Sequence, residues 1–268
     1  MLAGSRPRIY TFLSATSGEE KGAMLVNLAA SLMQAGSDVL VLDACTESRG
    51  IASQLGMTAG ATLQQVALQE RALDEVVQPM PQGFGLATLM HPAQRSASME
   101  AQQTQRLSNV FDLLAGQTDI IVVDAELGKG EDLFPLPALA SSEIVVQVST
   151  SPESITAAYS IIKRLNGELG RRPCGVLVTG ASEKEAQVVY QNMAKAASRY
   201  LAVKLSSMGS VPADEHLTRA ARLGRAVVDA FPLAGASVAF RRLAGQFAPE
   251  VSPDGLQELS ASGANLGI

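Results

Sequence analysis

The feature that most constrains this fold is the regular alternation of short apolar runs with longer helical patterns. Residues 9–13 and 39–43 are such runs, and the second is apolar up to its closing aspartate, as a parallel strand covered on both faces requires. Between them, residues 21–35 carry apolar side chains at helical spacing and stop before Gly36. Strands and helices in alternation predict a parallel sheet with right-handed crossovers.

The same alternation continues along most of the chain. Further strands are predicted at residues 85–90, 120–124, 143–148, 175–179 and 203–211. Further helices are predicted at residues 99–114, 152–166, 183–198, 214–223 and 235–247. We therefore expect a single α/β domain over residues 1–248, with a doubly wound, mostly parallel twisted sheet flanked by helices. Residues 249–268 are rich in Ser, Gly and Ala and are expected to form a flexible polar tail.

Composition narrows the functional class. A net charge of −5 argues against a general nucleic-acid binder, which is normally basic. Without an 18-residue apolar run, we predict a cytoplasmic chain with at most peripheral membrane contact. Cys45 and Cys174 form no CxxC pair and are interpreted as reduced thiols. The two histidines, His91 and His216, are too few for a zinc site of their own.

The loop after the first predicted strand is the first candidate site, because ligands of doubly wound folds bind at the carboxyl ends of strands. Residues 14–20 are small and polar, and Lys21 opens the helix that follows. A strand, a small-residue loop and a lysine at a helix start are the geometric parts of a phosphate cradle. Taken alone the signal is weak, since a lysine there is usually a solvated charge.

The residues that follow this loop strengthen the signal for a phosphate site. Residues 26–32, 35–36 and 39–44 resemble the MinD/ParA family of P-loop ATPases, whose loop is Lys-Gly-Gly-x-Gly-Lys-Thr. The family pattern continues with a helix opening Val-Asn-Leu-Ala and a strand ending Asp-x-Asp. The resemblance implies the family's doubly wound fold and a site for ATP or ADP with Mg²⁺.

Five positions keep the family pattern as nucleotide-binding candidates. Gly18 matches a loop glycine and Lys21 the phosphate-binding lysine. Asp43 matches the first aspartate of Asp-x-Asp, and Asp124 matches the metal-side carboxylate that would bind Mg²⁺. Pro212 lies in a segment that resembles the loop around the adenine. An alternative for Asp124 is an aspartate that merely ends a strand.

Five other positions depart from it. Thr16 stands in place of the family's lysine that reaches the facing subunit, and Glu20 stands in place of the last loop glycine. Gly22 replaces the residue whose hydroxyl binds Mg²⁺. The second aspartate of Asp-x-Asp is Cys45, and Thr179 stands where the family often has an adenine-reading Asn. Most of the catalysis of phosphoryl transfer comes from the metal ion, the hydroxyl that binds it and a cationic clamp on the phosphates. A carboxylate about 4 Å from a phosphate costs roughly 4 kcal/mol at an effective dielectric near 20.

The C-terminal half resembles one branch of that family, the flagellar-number regulators FlhG/FleN. The matching segments are residues 152–166, 199–203, 209–215 and 225–232. The resemblance implies a regulator of flagellar number, placement and gene expression. Its implied partners are an FlhF-like GTPase, a flagellar transcription activator, or both, met in the cytoplasm or peripherally at the cell pole.

Three functions stay open on the sequence. The first is a regulator that acts by binding proteins, as a monomer or an ATP-independent dimer, with ATP hydrolysis weak or lost. The second is a weak but genuine ATPase switch, since Lys21, Asp43 and Asp124 remain. The third is a polar localisation pseudo-ATPase for pili or cellulose secretion, against which the segment 152–166 argues.

Overall fold

The computed structural model describes residues 7–45, 50–57, 60–91, 101–128 and 133–248. Within these residues eight strands form one sheet, in the order β3-β4-β2-β5-β1-β6-β7-β8. The strands are β1 Arg8–Ser14, β2 Val39–Asp43, β3 Gln78–Pro79, β4 Gly85–Thr88, β5 Ile120–Asp124, β6 Glu143–Val148, β7 Cys174–Thr179 and β8 Leu205–Val211. Neighbouring strands are parallel except β3 and β4.

Helices cover both faces of this sheet. They are α1 Gly18–Gln34, α2 Ile51–Gln54, α3 Leu63–Ala67, α4 Ala101–Ala115, α5 Pro137–Ser141, α6 Pro152–Leu169, α7 Glu183–Leu201, α8 Glu215–Arg222, α9 Val227–Ala230 and α10 Gly235–Phe247, with a 3₁₀ turn at Leu73–Glu75. In the described part of the chain, none of them is both long and apolar enough to cross a membrane.

The core lies in two layers because successive side chains of a strand point to opposite faces. On the face covered by α1 and α10, β1 contributes Tyr10 and Phe12. On the face covered by α4, α6 and α7 it contributes Leu13. The expected doubly wound, mostly parallel sheet is confirmed.

Strand β1 is joined to helix α10 by hydrogen bonds and a ring contact, here called the clasp. Tyr10 Oη donates a hydrogen bond of 3.1 Å to the carbonyl of Phe247. The two rings meet edge to face with their centroids 4.6 Å apart, and Arg8 donates to the carbonyl of Ala248. Burial raises the pKa of Tyr10 to about 12, so its hydroxyl remains a donor even in mildly alkaline solution. The helix therefore closes the core over the central strand.

Several element boundaries differ from the predictions. Helix α1 begins at Gly18 rather than Lys21, because Ser17 acts as its N-cap. The strand predicted at 85–90 ends at Thr88, and the strand predicted at 203–211 begins at Leu205. Residues 99–100 of the predicted helix 99–114 and the predicted tail 249–268 lie outside the described residues.

Candidate functional site

The carboxyl ends of three adjacent central strands form the candidate site. β2 and β5 both end in aspartate, and Asp43 and Asp124 are directly paired in the parallel register. The loop that leads into α1 and to Lys21 leaves the end of β1, the other neighbour of β5. Asp43 is 5% exposed and Asp124 is fully buried. The topology thus brings together the lysine and both aspartates that the sequence singled out.

Lys21 points inward from the first turns of α1 and is 7% exposed. Its Nζ lies 2.6 Å from Asp124 Oδ1 and donates a 2.9 Å hydrogen bond to the carbonyl of Ala125. Burial by itself would lower the pKa of Lys21, but the neighbouring Asp124 carboxylate outweighs it and raises that pKa. The ammonium is therefore charged and held by the residue predicted to bind Mg²⁺.

The remaining carboxylate oxygens accept hydrogen bonds from backbone amides. Asp43 Oδ1 accepts from the amide of Cys45 at 3.0 Å, and Asp43 Oδ2 accepts from that of Ala52 at 2.8 Å. Asp124 Oδ2 accepts from the amide of Ile51 at 2.7 Å. Counting the oxygen that meets the ammonium, all four oxygens of the two carboxylates face a donor within the protein.

Burial and mutual repulsion shift the acid groups of this cluster. Desolvation, and secondly the Asp124 charge, raises the pKa of Asp43 to about 6. The same two causes raise the pKa of the Cys45 thiol far above its usual range. Cys45 is therefore a neutral thiol, and its Sγ lies 3.7 Å from Lys21 Nζ. It offers neither a thiolate nor the carboxylate of the family's second aspartate.

One oxygen or sulfur atom each from Asp43, Cys45 and Asp124 lies within 4.8 Å of the others. Mg²⁺ prefers oxygen ligands in octahedral geometry and commonly keeps several waters. Here the carboxylate oxygens are engaged, the third group is a thiol, and Gly22 has no hydroxyl to offer. In this arrangement the residues do not fit Mg²⁺, although Asp124 occupies the expected strand end.

The amides of the phosphate loop are also engaged by their own segment. The hydroxyl of Ser14 accepts from the amide of Thr16 at 2.9 Å. Ser17 and Glu20 form a capping box, in which the Ser17 hydroxyl accepts from the amide of Glu20 and the Glu20 carboxylate accepts from the amide of Ser17, each at 3.2 Å. An internal carboxylate therefore takes an amide that a phosphate cradle would offer to its ligand.

Sequence reasoning missed the contribution of the segment after β2. Gln54 Nε2 donates to the carbonyl of Gly18 at 2.9 Å, and a Cβ on Gly22 would lie only 1.9 Å from Gln54 Oε1. A Cβ on Gly50 would lie 2.0 Å from Asp43 Oδ1, so this close approach needs glycine. The Ser-x-x-Glu spacing of the capping box was a signal that could have been used. Nothing in the sequence singles out Gln54.

A cleft of about 1310 Å³ opens beside this cluster. Its walls are the loop and start of α1, the segment around α2, part of α6, and the end of α8 with its connection to α9. The residues contributed by α6, α8 and this connection are Ser160, Ile161, Arg164, Ala221, Gly224 and Arg225. Gly18, Lys21, Thr16 and Gly22 line it. Thr179 and Pro212, predicted at the adenine, are not among its lining residues. The Thr179 hydroxyl instead accepts from Gln147 Nε2 at 3.2 Å.

The most informative sequence relative is a bacterial regulator. The chain is 32% identical over 228 residues to the antiactivator FleN of Pseudomonas aeruginosa. The aligned residues cover 85% of this chain and 81% of that relative. It is 26% identical over 234 residues to an uncharacterized ATP-binding protein of Methanocaldococcus jannaschii, covering 86% and 84%. No family model matches the chain.

Solved structures show the same fold. The septum site-determining protein MinD of Pyrococcus horikoshii, complexed with Mg-ADP, aligns with a TM-score of 0.64 at 18% identity, covering 97% of this chain and all of that one. A ParA family ATPase of Chlorobium tepidum aligns with a TM-score of 0.64 at 18% identity, covering 89% and 97%.

Proposed function

Since the chain belongs to the MinD/ParA family, in its FlhG/FleN branch, we propose that it regulates flagellar number, flagellar placement and flagellar gene expression by binding proteins, with ATP hydrolysis weak or lost. The name of its Pseudomonas relative, antiactivator, describes a protein that opposes an activator. The partners we propose are an FlhF-like GTPase, a flagellar transcription activator, or both.

One observation carries the loss of ATP chemistry: the charged groups of the site bind one another. The Lys21 ammonium is paired with Asp124, and the Glu20 carboxylate lies in the loop that would cradle phosphate. Mg-ATP would have to displace the ammonium and meet the carboxylate. A carboxylate about 4 Å from a phosphate costs roughly 4 kcal/mol at an effective dielectric near 20, close to a thousandfold in affinity.

Helix α6 is the surface we propose for partners, because its residues 152–166 carry the branch pattern. Its inward face, with Ala158, Ile162 and Leu165, is buried in the core. Its outward face, with Thr156, Ala157 and Lys163, is exposed. The buried positions account for how α6 packs on the sheet, and we assign partner recognition to the exposed positions.

Two measurements test this proposal together. Calorimetry with ATP and Mg²⁺ on the purified chain should give no binding below millimolar ATP. Co-purification should recover the FlhF-like GTPase or the flagellar activator of the same organism, and Ala157→Arg on α6 should abolish it. Val188→Arg, at an exposed position of α7, is the matched control and should leave it intact. Recovery of neither partner would contradict the regulatory role.

A weak but genuine ATPase switch is the second candidate. It is favoured by the assembly of Lys21, Asp43 and Asp124 at one strand end beside an open cleft. Magnesium-dependent turnover that disappears in Lys21→Ala, under conditions where circular dichroism shows the variant to be folded, would establish it. Light scattering separates the two as well, since the first proposal expects a mass that does not change with ATP and a switch expects it to double.

A further inference from the structure

We propose that the segment Gly50–Gln54, here called the plug, is an internal inhibitor that holds the phosphate loop closed and must be displaced before any nucleotide binds. This inference rests on the proposed function, since it concerns the regulation of the same site. It adds that part of the low affinity comes from a removable element, besides the exchanged loop residues.

The plug is attached at the bottom of the site by both aspartates. The amides of Ile51 and Ala52 donate to Asp124 Oδ2 and Asp43 Oδ2 at 2.7 and 2.8 Å. Ile51 is fully buried and Ala52 is 5% exposed, so these charge-assisted bonds are shielded from water. Carboxylates that accept these amides have those oxygens turned away from a metal ion.

At its other end the plug covers the loop. Gln54 is exposed to the cleft, yet its side-chain amide donates to the carbonyl of Gly18 and its Oε1 occupies the space in front of Gly22. A Cβ at position 22 would lie 1.9 Å from Gln54 Oε1, so a side chain there requires Gln54 to swing aside. Position 22 is where the family places its Mg²⁺-binding hydroxyl. Gln54 thus fills the space that the lost hydroxyl has left.

Gly50 makes the close approach possible. Its Cα packs against the Asp43 carboxylate so tightly that a Cβ would lie 2.0 Å from Oδ1 and 2.3 Å from Oδ2. Unlike Gln54, the Asp43 carboxylate is held in place by two backbone amides. A side chain at position 50 must therefore push the plug away from the strand ends.

The test is a fluorescence titration with an N-methylanthraniloyl ATP analogue and Mg²⁺. Gln54→Ala removes the cover and keeps the backbone, and we expect it to raise the affinity about tenfold or more, equivalent to ~1.4 kcal/mol. Ser53→Ala is the matched control, because this exposed neighbour lines the same cleft and lies on the same short helix. It should bind like the unaltered chain.

Gly50→Ala provides an independent second variant, with circular dichroism and thermal unfolding to verify folding. It should also bind the analogue more tightly than the unaltered chain. Hydrogen exchange should show that the amides of Ile51 and Ala52 lose protection when nucleotide saturates the protein.

The outcomes separate the two proposals. The inhibitory role of the plug is wrong if neither variant binds the analogue more tightly than the unaltered chain. It is also wrong if the amides of Ile51 and Ala52 stay protected when nucleotide saturates the protein. In both cases the protein-binding role stands. If the unaltered chain hydrolyses ATP with micromolar affinity, the weak-hydrolysis part of the proposed function is wrong. In that case the affinity ratio of Gln54→Ala to the unaltered chain still decides the plug.

Discussion

The ammonium of Lys21 lies 2.6 Å from the carboxylate of Asp124, and neither side chain is more than 9% exposed. In the family pattern the first residue serves a phosphate and the second a metal. Here each neutralises the other without a ligand, while the buried Asp43 carboxylate is held by two backbone amides. The pair therefore contributes to the fold as well as to any binding site.

Removing the lysine alone should destabilise the fold strongly. Lys21→Met keeps an apolar stem but leaves Asp124 as an uncompensated buried charge, which typically costs about 3–5 kcal/mol. Urea unfolding followed by circular dichroism measures this change in the free energy of unfolding.

The double variant Lys21→Met, Asp124→Asn should recover part of that loss, because it removes the buried charge that the single variant leaves without its partner. Lys163→Ala removes an exposed lysine of α6 and should change the free energy of unfolding by less than about 0.5 kcal/mol. Equal small effects of Lys21→Met and Lys163→Ala would contradict a structural role of the pair.

Asp43 should make the fold more stable in mild acid. Its pKa is raised from 3.8 to about 6, so the folded chain binds this proton more tightly than the unfolded chain. The contribution favours folding below pH 4 and is lost as pH rises from about 4 to about 6, at a maximal slope of about 1.4 kcal/mol per pH unit.

The control is Asp43→Asn, which cannot ionise and still accepts one of the two amides. Urea midpoints measured between pH 4 and pH 6 should fall more steeply for the unaltered chain than for this variant. Parallel curves for the two proteins would show that Asp43 titrates at its ordinary pKa.

The capping box should stabilise the start of α1. Ser17→Ala removes the acceptor for the amide of Glu20 and should lower the free energy of unfolding by about 1 kcal/mol. Ser182→Ala removes the equivalent cap of α7 and should have a similar effect. Ser198→Ala, at an exposed position inside α7, should have little effect. A loss at Ser17 no larger than at Ser198 would show that the cap is not formed.

Both thiols should react only when the chain opens. Cys45 and Cys174 are about 5% and 4% exposed, and burial raises both pKa values, that of Cys174 to about 11. Labelling with a disulfide reagent at pH 7.5 should therefore be slow and should accelerate with urea in step with unfolding. Fast labelling of one thiol in the folded protein would mean that its surroundings are open.

The sequence predicted the sheet well because its strands carry their own pattern. β2 and β5 are uninterrupted apolar runs that end in aspartate, and both bounds were predicted as observed. It also predicted which residues converge, because parallel strands end at one edge. The convergence of Lys21, Asp43 and Asp124 follows from topology alone.

The interior contacts of the site were not predictable in the same way. Helix α2 has four residues, too few to show a helical period, and its amides are held by Asp43 and Asp124 from distant strands. The family pattern predicts Glu20 as a lost loop glycine and a repulsive charge, and not as the capping partner of Ser17, which lies three residues earlier. Contacts with distant strands therefore hold α2 in place, whereas a local capping box determines the position of Glu20.

The clasp between Tyr10 and Phe247 also governs the timing of folding during synthesis. The two residues are 237 positions apart, which a ribosome needs roughly 10 to 50 s to cover at about 5–20 residues per second. Throughout that interval the apolar face of β1, although it belongs at the centre of the sheet, lacks the helix that encloses it. The nascent chain thus exposes its innermost strand for longest, and chaperones that bind apolar segments should capture it there.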